Sequence, residues 1–541
     1  MKINHSSFIY IFSIILSFSI TNAQNDNTEN TPNTFQNPIL SGYHPDPSIC
    51  RVGDDYYLVN STFIWYPGIP IYHSKDLVNW KLIGHGINRP NQINLDGLED
   101  RQGIYAATIR YYEGIFYLIT TCINCEGNFY ITAKDPSGPW SNPIWLKDAP
   151  GIDPSLMWDD DGKCYYTGHT PIDDEMWPTQ CGIWLQELDL KQKKLVGNRK
   201  ILTYGHANNA SYTEGPHLYK IDGNYMLMLS EGGTGLYHAL SVHHSDSLWG
   251  PYNADMINPV LSHRQFGNKS PIQAVGHGDL VKTQNDEWWC VTLGKRVIDG
   301  QTTLARETFL SRVHFEGKTP IFNNGKGKIL DKQENPNLPW FPFVPEPVKD
   351  QFNQDELALK WCFIRVPKKQ FYDIKKGKLN IKLQPNTIDK RLNSSLIIQR
   401  IEHHKFSAST KLSFKTKKEN EQAGLIIYRT NENYYLLMKE KKELVLIKSF
   451  KGVKEEIARI PYNKSKVILK AEGDNLNINF TYGSSLNEMK KIGDTHSLIV
   501  IADGNGNQFN GTGVGMYTTS NNKTSNTNAS YDWFEYKDNK L

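Results

Sequence analysis

The stretch GYHPDPSICRVGDDYYLVNSTF at residues 42–63 sets a pattern that the first half of the chain repeats. It places Asp46 between two prolines, followed by an acidic turn and then by paired tyrosines in an apolar run. A turn of this kind next to an aromatic run is typical of a β-hairpin. Because a residue before proline is pushed towards an extended backbone, the pattern also predicts a fixed direction for the Asp46 carboxylate.

The hairpin pattern recurs along the chain at spacings of about 50 to 60 residues. Turns followed by aromatic runs lie at residues 52–62, 112–121, 159–169, 221–233 and 284–294. A second motif, a Ser or Ala followed by Asp and Trp, trails the first, second and fourth copies. Five such units predict a five-bladed β-propeller with blades of about four strands. The rival fold, a β-sandwich, would not explain the period.

Ionisable residues precede four of the five hairpins at equivalent places. Asp46 and Asp153 each stand in Asp-Pro-Ser, Glu214 precedes Gly-Pro, and His277 stands before the fifth hairpin. The innermost strands of a propeller line one axis, so we expect these four side chains to converge. Crowded carboxylates oppose folding, which favours a functional site over unrelated turns. For His277 the alternative is a histidine that only fills the channel.

Composition limits the kind of partner. The chain has 541 residues, and its 60 Lys and Arg nearly balance its 57 Asp and Glu. The resulting charge of +3 gives no field to gather nucleic acid or anionic lipid, so we expect neither a nucleic-acid nor a membrane partner. Aromatic residues make up 12%, which suits β-strands and stacking on sugar rings. A neutral carbohydrate partner is favoured.

The N-terminus has the pattern of an export signal. Lys2 is followed by an apolar stretch at residues 8–20 and by small or polar residues ending at Ala23. We therefore expect residues 1–23 to be removed and the protein to be periplasmic or secreted. The pair Cys122 and Cys125 has no second pair at zinc-site spacing, so no metal role is predicted for it.

The chain divides at a proline-rich segment. Residues 24–335 contain the five repeats, and residues 336–349 hold five prolines, as expected of a stiff linker. Residues 350–541 contain lysine-rich runs of alternating polar and apolar residues, for example GLIIYRTNENYYLLM. This alternation predicts an antiparallel β-sandwich. The whole chain is therefore expected to be all-β.

The motifs together resemble a known family. NPILSGYHPDPSICRVGDDYYLV, GIDPSLMWDDDGKCYYTG, YTEGPHLYK, GHGDLVKT and LARETFL are similar to glycoside hydrolase family 43, in particular its β-xylosidase and α-L-arabinofuranosidase members. The second half resembles the concanavalin-like domain of those xylosidases. The resemblance implies a five-bladed propeller and an inverting exo-glycosidase that needs no cofactor for catalysis. It implies release of terminal β-D-xylose from plant or algal glycans.

Two other functions stay open at this stage. The first is an α-L-arabinofuranosidase, because the two pentoses present superimposable hydroxyls to one pocket. The second, from another class, is a non-catalytic sugar-binding propeller. Asp46 and Glu214 together count against that reading, since a lectin has no need of an acid and a base.

The resemblance assigns roles to the convergent residues. It implies that Asp46 is the general base, Glu214 the general acid and Asp153 the carboxylate that raises the pKa of the acid. His277 and Arg306 match the sugar-binding histidine and arginine of the family, and Arg306 is expected to pair with Asp153.

The resemblance also implies the walls of the pocket. Phe63 and Trp65 match aromatics that pack on the terminal sugar, although ordinary strand packing would explain them equally well. Tyr105 stands where relatives commonly have tryptophan, Thr234 lies near the sugar, and Phe509 is the loop aromatic of the second domain that narrows the pocket.

Two local features remain. Ala305 replaces the glycine that the family usually has before the arginine, which predicts a changed backbone path there. Asp350 and Asp532 lie where the family's second domain often holds a structural calcium, although two acidic residues do not make a site.

Overall fold

The five repeats form five antiparallel sheets that close into a ring. The computed structural model describes residues 32–505 and 509–539. The first strand of each sheet contacts the first strand of the next, and the fifth contacts the first. The ring of five sheets is a five-bladed β-propeller, as the repeats predict. We number the blades 1 to 5 along the chain.

Each blade runs outward from the axis in chain order. Blade 1 comprises Ser48–Val52, Asp55–Val59, Gly68–Ser74 and Lys81–Ile87. Blade 2 comprises Gly103–Tyr112, Ile115–Ile123, Gly127–Ala133 and Ile144–Trp145. Blade 3 comprises Ser155–Trp158, Cys164–Pro171, Cys181–Asp189 and Lys194–Thr203.

Blades 4 and 5 complete the ring. Blade 4 comprises Glu214–Ile221, Asn224–Glu231, Ala239–Ser245 and Asn253–Ala254, with Leu261–Ser262 also paired to Ala239–Ser245. Blade 5 comprises Ile272–Lys282, Trp288–Arg296, Glu307–Glu316 and Thr319–Phe322. A short 3-10 helix, Arg264–Lys269, precedes blade 5.

The predicted hairpins join the first and second strands of their blades. In blade 1 the turn at Gly53 has a φ of +61°, and no atom lies within 4 Å of the position that a Cβ would take there. Alternate residues of the following strand, Tyr56 and Leu58, are fully buried and pack on Trp289 and Val291 of blade 5. The hairpins therefore build the apolar layers between neighbouring blades.

The chain before blade 1 is tied to blade 5. Thr34–Gln36 pairs with Lys332–Glu334, and the Asn37 side chain donates to the Leu310 and Leu330 carbonyls at 2.9 Å each. This contact joins the two ends of the propeller segment, as ring closure requires.

The second half of the chain forms two further antiparallel sheets. One has the order Tyr372–Ile374, Leu379–Lys382, Asn528–Asp538, Lys405–Ser413, Lys466–Asp474, Asn477–Gly483 and Lys490–Lys491, with Lys349–Asp350 and His496–Ser497 at its sides. The other has the order Ser395–Arg400, Gly513–Thr519, Gln422–Thr430, Asn433–Glu440, Glu443–Phe450 and Val453–Pro461. A 3-10 helix spans Leu498–Ile501. This is the expected sandwich.

The sandwich packs directly against the propeller. Trp65–Tyr66, between two strands of blade 1, pairs with Phe363–Ile364 of the second half. Arg365 is 1% exposed, and its guanidinium forms a 2.8 Å ion pair with Asp100 of the propeller. The two halves share one buried apolar cluster, so the sandwich is fixed over one face of the ring.

The domain boundaries at residues 23, 335 and 349 remain predictions. Residues 1–23, the expected signal, lie outside the described residues. The expected linker, 336–349, holds no strand before Lys349–Asp350. In the described part of the chain no helix is long and apolar enough to cross a membrane.

Candidate active site

Asp46 lies at the axis, just before the first strand of blade 1. Its side chain is 6% exposed and accepts hydrogen bonds from Arg306 Nη1 at 2.6 Å and from Ser61 Oγ at 2.5 Å. Burial would raise the pKa of Asp46, but the charges of Arg306 and His277 and the Ser61 hydroxyl outweigh it and hold that pKa below its usual value. Asp46 is therefore ionised near neutral pH.

The backbone at the Asp-Pro-Ser motifs differs from the expected extended form. Asp46 has a φ of +51° and Asp153 a φ of +53°, both in the left-handed region. Proline excludes the right-handed helical region for the preceding residue, and aspartate tolerates positive φ better than most residues. The prediction of a fixed carboxylate direction rested on the wrong backbone region.

Asp153 and Glu214 occupy a different electrostatic environment. Burial and the nearby charge of Asp46 raise the pKa of Asp153 to about 6, against the opposing effect of His277. Burial, followed by the charges of Asp153 and Asp46, raises the pKa of Glu214 well above its ordinary value. Glu214 opens the first strand of blade 4 and is partly exposed. It is therefore held protonated while part of the residue reaches solvent.

His277 lies against the segment that carries Glu214. It is 7% exposed, has a φ of +43°, and its backbone amide donates to Ser230 Oγ at 3.3 Å. Gly215 has a φ of +57°, and a Cβ there would lie 3.0 Å from His277 Nδ1. Gly215 thus permits the close approach of the histidine, and its backbone amide also hydrogen-bonds to Asp153. The four predicted residues do converge.

Arg306 pairs with Asp46, and the expected pairing with Asp153 is wrong. The ion pair measures 2.6 Å, and both side chains are less than a tenth exposed. Ala305 adopts a φ of +71°, the region that favours glycine, so the alanine keeps the glycine-like backbone path instead of changing it. This strained conformation directs Arg306 to Asp46.

An aromatic cluster covers Arg306. Phe63 and Phe509 stack with ring centres 5.9 Å apart, and the guanidinium lies 5.1 Å from the first ring centre and 5.4 Å from the second. Arg306 Nη2 also donates to the Phe509 carbonyl at 3.1 Å. Tyr105 packs 4.9 Å from Phe63 and 6.2 Å from Phe509. The second domain therefore contributes a side chain beside the Arg306–Asp46 ion pair.

Trp65 lies between the propeller and the sandwich, and Thr234 contacts blade 5. Trp65 is fully buried and packs on Tyr43 at 5.2 Å between the propeller and the sandwich, so it supports the domain contact and does not face a sugar. Thr234 follows blade 4's second strand, and its carbonyl accepts from Lys295 Nζ at 3.0 Å. Its hydroxyl is buried and has no partner among the described residues.

The acidic pair considered for calcium does not fit that ion. Asp532 is held by Lys378 at 2.7 Å and Lys411 at 3.2 Å, while Asp350 accepts from Trp361 Nε1 at 2.9 Å. Two ammonium groups occupy the oxygens that a calcium ion would need. In the described residues no cluster of three or more His, Cys, Asp or Glu side chains could hold a metal.

Sequence reasoning missed several supporting residues. The hairpin register of blade 1 pairs Ser48 with Val59, and its extension by two residues places Ser61 opposite Asp46. The contact of Ser61 with Asp46 could therefore have been predicted from the hairpin register. Lys295 of blade 5 forms a 2.9 Å ion pair with Asp503 of the second domain, close in sequence to Phe509. No local pattern marks this pair.

The arrangement suits hydrolysis by an acid and a base. One carboxylate is ionised and clamped by an arginine, and a second is held protonated by burial and by a neighbouring carboxylate. Two carboxyl groups with opposed protonation states are the requirement for cleaving a glycosidic bond. Fold and site together define a glycoside hydrolase built on a five-bladed propeller.

Comparison with known proteins gives the family. The model of glycosyl hydrolases family 43 matches residues 35–320, and that of the β-xylosidase C-terminal concanavalin A-like domain matches residues 349–537. The chain belongs to glycosyl hydrolases family 43.

Relatives match over nearly the full chain. A xylosidase/arabinosidase of Butyrivibrio fibrisolvens is 41% identical over 92% of this chain and 98% of its own length. A non-reducing end α-L-arabinofuranosidase of Bacteroides ovatus is 36% identical over 93% and 95%. The solved structure of a xylan β-1,4-xylosidase from Bacillus halodurans has a TM-score of 0.87 at 33% identity and covers 93% of this chain and 100% of its own.

Proposed function

We propose that the protein is an inverting exo-glycosidase that releases terminal β-D-xylose from plant or algal oligo- and polysaccharides. The observation that carries the proposal is the opposed protonation of two axial carboxyl groups, Asp46 with a lowered pKa and Glu214 with a raised one. The names of the relatives, which include both xylosidases and arabinofuranosidases, support the pentose.

The chemistry follows from these two groups. Asp46 accepts a proton from a water molecule as that water attacks the anomeric carbon, and Glu214 donates its proton to the departing glycosidic oxygen. The water attacks from the face opposite the leaving group, so the configuration inverts. Asp153 acts through Glu214, because its charge opposes ionisation of the acid.

Arg306 and the aromatic cluster position the terminal sugar. The guanidinium orients Asp46 through the 2.6 Å ion pair. Phe63, Tyr105 and Phe509 form an apolar surface beside the base, and His277 lies between Asp46 and the acid's segment. Such walls bind a small neutral sugar without a cofactor.

The test is hydrolysis of 4-nitrophenyl β-D-xyloside and 4-nitrophenyl α-L-arabinofuranoside side by side, with the product anomer followed by proton NMR. We expect the xyloside to be the better substrate and the first product to be inverted. Preference for the arabinofuranoside would make the protein an arabinofuranosidase, the second candidate. Retention would refute the single-displacement mechanism, and failure to hydrolyse either substrate would favour a sugar-binding protein.

We also propose that the protein is exported to the periplasm or beyond. The support is the apolar stretch at residues 8–20, with small residues before the expected cleavage point. N-terminal sequencing of the protein from a bacterial host should give a chain that begins at residue 24. A chain that keeps residue 1 after fractionation with the cytoplasm would contradict the proposal.

A further inference from the structure

Two exposed tyrosines lie in the connections at the Glu214 end of blade 4. Tyr212 lies two residues before Glu214 and is 48% exposed, and Tyr237 is 68% exposed. Large aromatic side chains bury 150–250 Å² each when they are covered, so leaving two in solvent gives up a large stabilisation. Because exposed apolar groups at such a place often mark a binding site, we expect a ligand to cover these two side chains.

A turn at Gly232 and Gly233 contacts both tyrosine residues. Glu214 pairs with Ser230 in blade 4, and this second strand ends at Glu231, directly before Gly232 and Gly233. A Cβ on Gly233 would lie 3.1 Å from Cδ2 of the Tyr212 ring. A Cβ on Gly232 would lie 2.2 Å from the Tyr237 carbonyl oxygen. The turn thus contacts the Tyr212 ring and the Tyr237 backbone, and it follows the strand that pairs with Glu214.

The backbone at Tyr212 is held in place. Its φ is +49°, which is a rare conformation for a bulky residue, and its amide donates to the Thr179 carbonyl at 3.0 Å. The preceding Ser211 carbonyl accepts from Gly232 at 2.7 Å. Strained backbone of this kind persists where the surroundings fix it, and it often marks a functional site.

The chemistry decides which part of the substrate reaches this turn. The acid protonates the leaving oxygen, so the leaving group lies on the side of Glu214. On the other side, Asp46 is enclosed by Arg306, Phe63 and the stacked Phe509. When the terminal sugar occupies this enclosed space beside Asp46, the rest of the glycan can lie only on the Glu214 side.

We propose that Tyr212 and Tyr237 form a platform that binds the pyranose rings of the leaving group. The faces of these rings are apolar and neutral, which matches two exposed aromatic side chains. The inference rests on the proposed glycosidase function, and it names the substrate class as a chain of at least two pyranose units beyond the bond that is cleaved.

The test compares xylotriose with 4-nitrophenyl β-xyloside in the full-length protein. Each of Tyr212→Ala and Tyr237→Ala should lower kcat/KM for xylotriose by about tenfold, while the aryl xyloside changes by less than about threefold. Tyr212→Phe and Tyr237→Phe should stay near wild type, because they keep the ring. If the wild type prefers arabinofuranosides, the matched pair is an arabinofuranosyl-xylotriose and the aryl arabinofuranoside.

The matched control is Tyr111→Ala in blade 2. Tyr111 is 38% exposed and lies at the other end of the strand that carries Tyr105. In Tyr111→Ala, kcat/KM for both substrates should therefore be unchanged. Equal losses on both substrates, or no loss on xylotriose, would overturn the platform while leaving the glycosidase intact. A wild-type protein without aryl glycosidase activity would instead refute the proposed function and the platform with it.

Discussion

The carboxyl groups of Asp46 and Glu214 have different neighbours, and this difference separates a base from an acid. Asp46 has an arginine at 2.6 Å and a serine hydroxyl at 2.5 Å, whereas the charges with the largest effect on Glu214 are those of other carboxylates. An arginine favours the charged form of a carboxyl group, and a like charge disfavours it. The pair is therefore poised for opposite proton transfers.

Replacing the base should abolish turnover without unfolding the protein. We expect Asp46→Asn to lose about 10³-fold in kcat, because general-base help is usually worth 10²–10⁴. The asparagine keeps an oxygen for Arg306, so the thermal midpoint should change little. The measurement is kcat on 4-nitrophenyl β-xyloside together with a melting curve. A folded variant with near-normal kcat would contradict the assignment.

Replacing Asp153 should move the basic limb of the pH–rate profile. Glu214 is active while protonated, and the Asp153 charge helps to raise its pKa. In Asp153→Asn that charge is gone, so the acid loses its proton at lower pH and the basic limb shifts downwards. The profile of kcat/KM for xylobiose measures this shift. An unmoved basic limb would remove Asp153 from its role.

The left-handed backbone at Ala305 has a measurable consequence for stability. An alanine at a φ of +71° costs about 1–2 kcal/mol more than a glycine there. Ala305→Gly should therefore destabilise the protein by about 1–2 kcal/mol less than Ala106→Gly, a buried strand position without positive φ. Urea unfolding of the two variants gives the comparison. Equal losses would show that the strain is absent.

At the scale of elements, the first hairpin of blade 1 positions the base. Its register places Ser61 opposite Asp46, and the hydroxyl lowers the pKa of that carboxyl. In Ser61→Ala the pKa of Asp46 should rise, which moves the acidic limb of the kcat/KM profile to higher pH. Ser155→Ala is the control, because Ser155 follows Asp153 as Ser48 follows Asp46, and it should leave that limb unchanged. If the acidic limb moves in neither variant, the Ser61 hydroxyl does not act on Asp46.

At the scale of the whole molecule, the sandwich completes the site. Asp503 contacts Lys295 of blade 5 at 2.9 Å and also forms an ion pair with Arg429 in the sandwich, so it links the two domains six residues before Phe509. The active site is therefore shared by the two domains, and interdomain contacts determine its shape.

Removing the loop aromatic should weaken the site more than the fold. We expect Phe509→Ala to lower kcat/KM for the aryl xyloside by about tenfold, because the ring stacks on Phe63 and covers Arg306. Phe450→Ala, in the sandwich sheet away from the propeller, should leave kcat/KM unchanged. Unchanged kinetics in Phe509→Ala would show that the second domain is dispensable for the pocket.

Local sequence patterns predict the residues of the site better than they predict the partners of those residues. The recurrence of Asp-Pro-Ser before two hairpins, and of Glu-Gly-Pro before a third, predicted the convergence at the axis. The same reasoning was wrong about the partner of Arg306 and about Trp65. Nothing near Trp65 in the sequence distinguishes a pocket wall from an interdomain contact, because Phe363–Ile364, which pairs with Trp65–Tyr66, is almost 300 residues away.

The sequence by itself determined the five hairpins, the sandwich strands and the three axial carboxyl groups, because turn residues and alternating burial act over a few neighbouring residues. Only the tertiary structure decided the pairing of Arg306 with Asp46 across 260 residues and its contact with Phe509 across 203. These contacts depend on how the ring closes and how the sandwich lies on it. Long-range packing, which no local pattern records, therefore sets the protonation and the walls of the site.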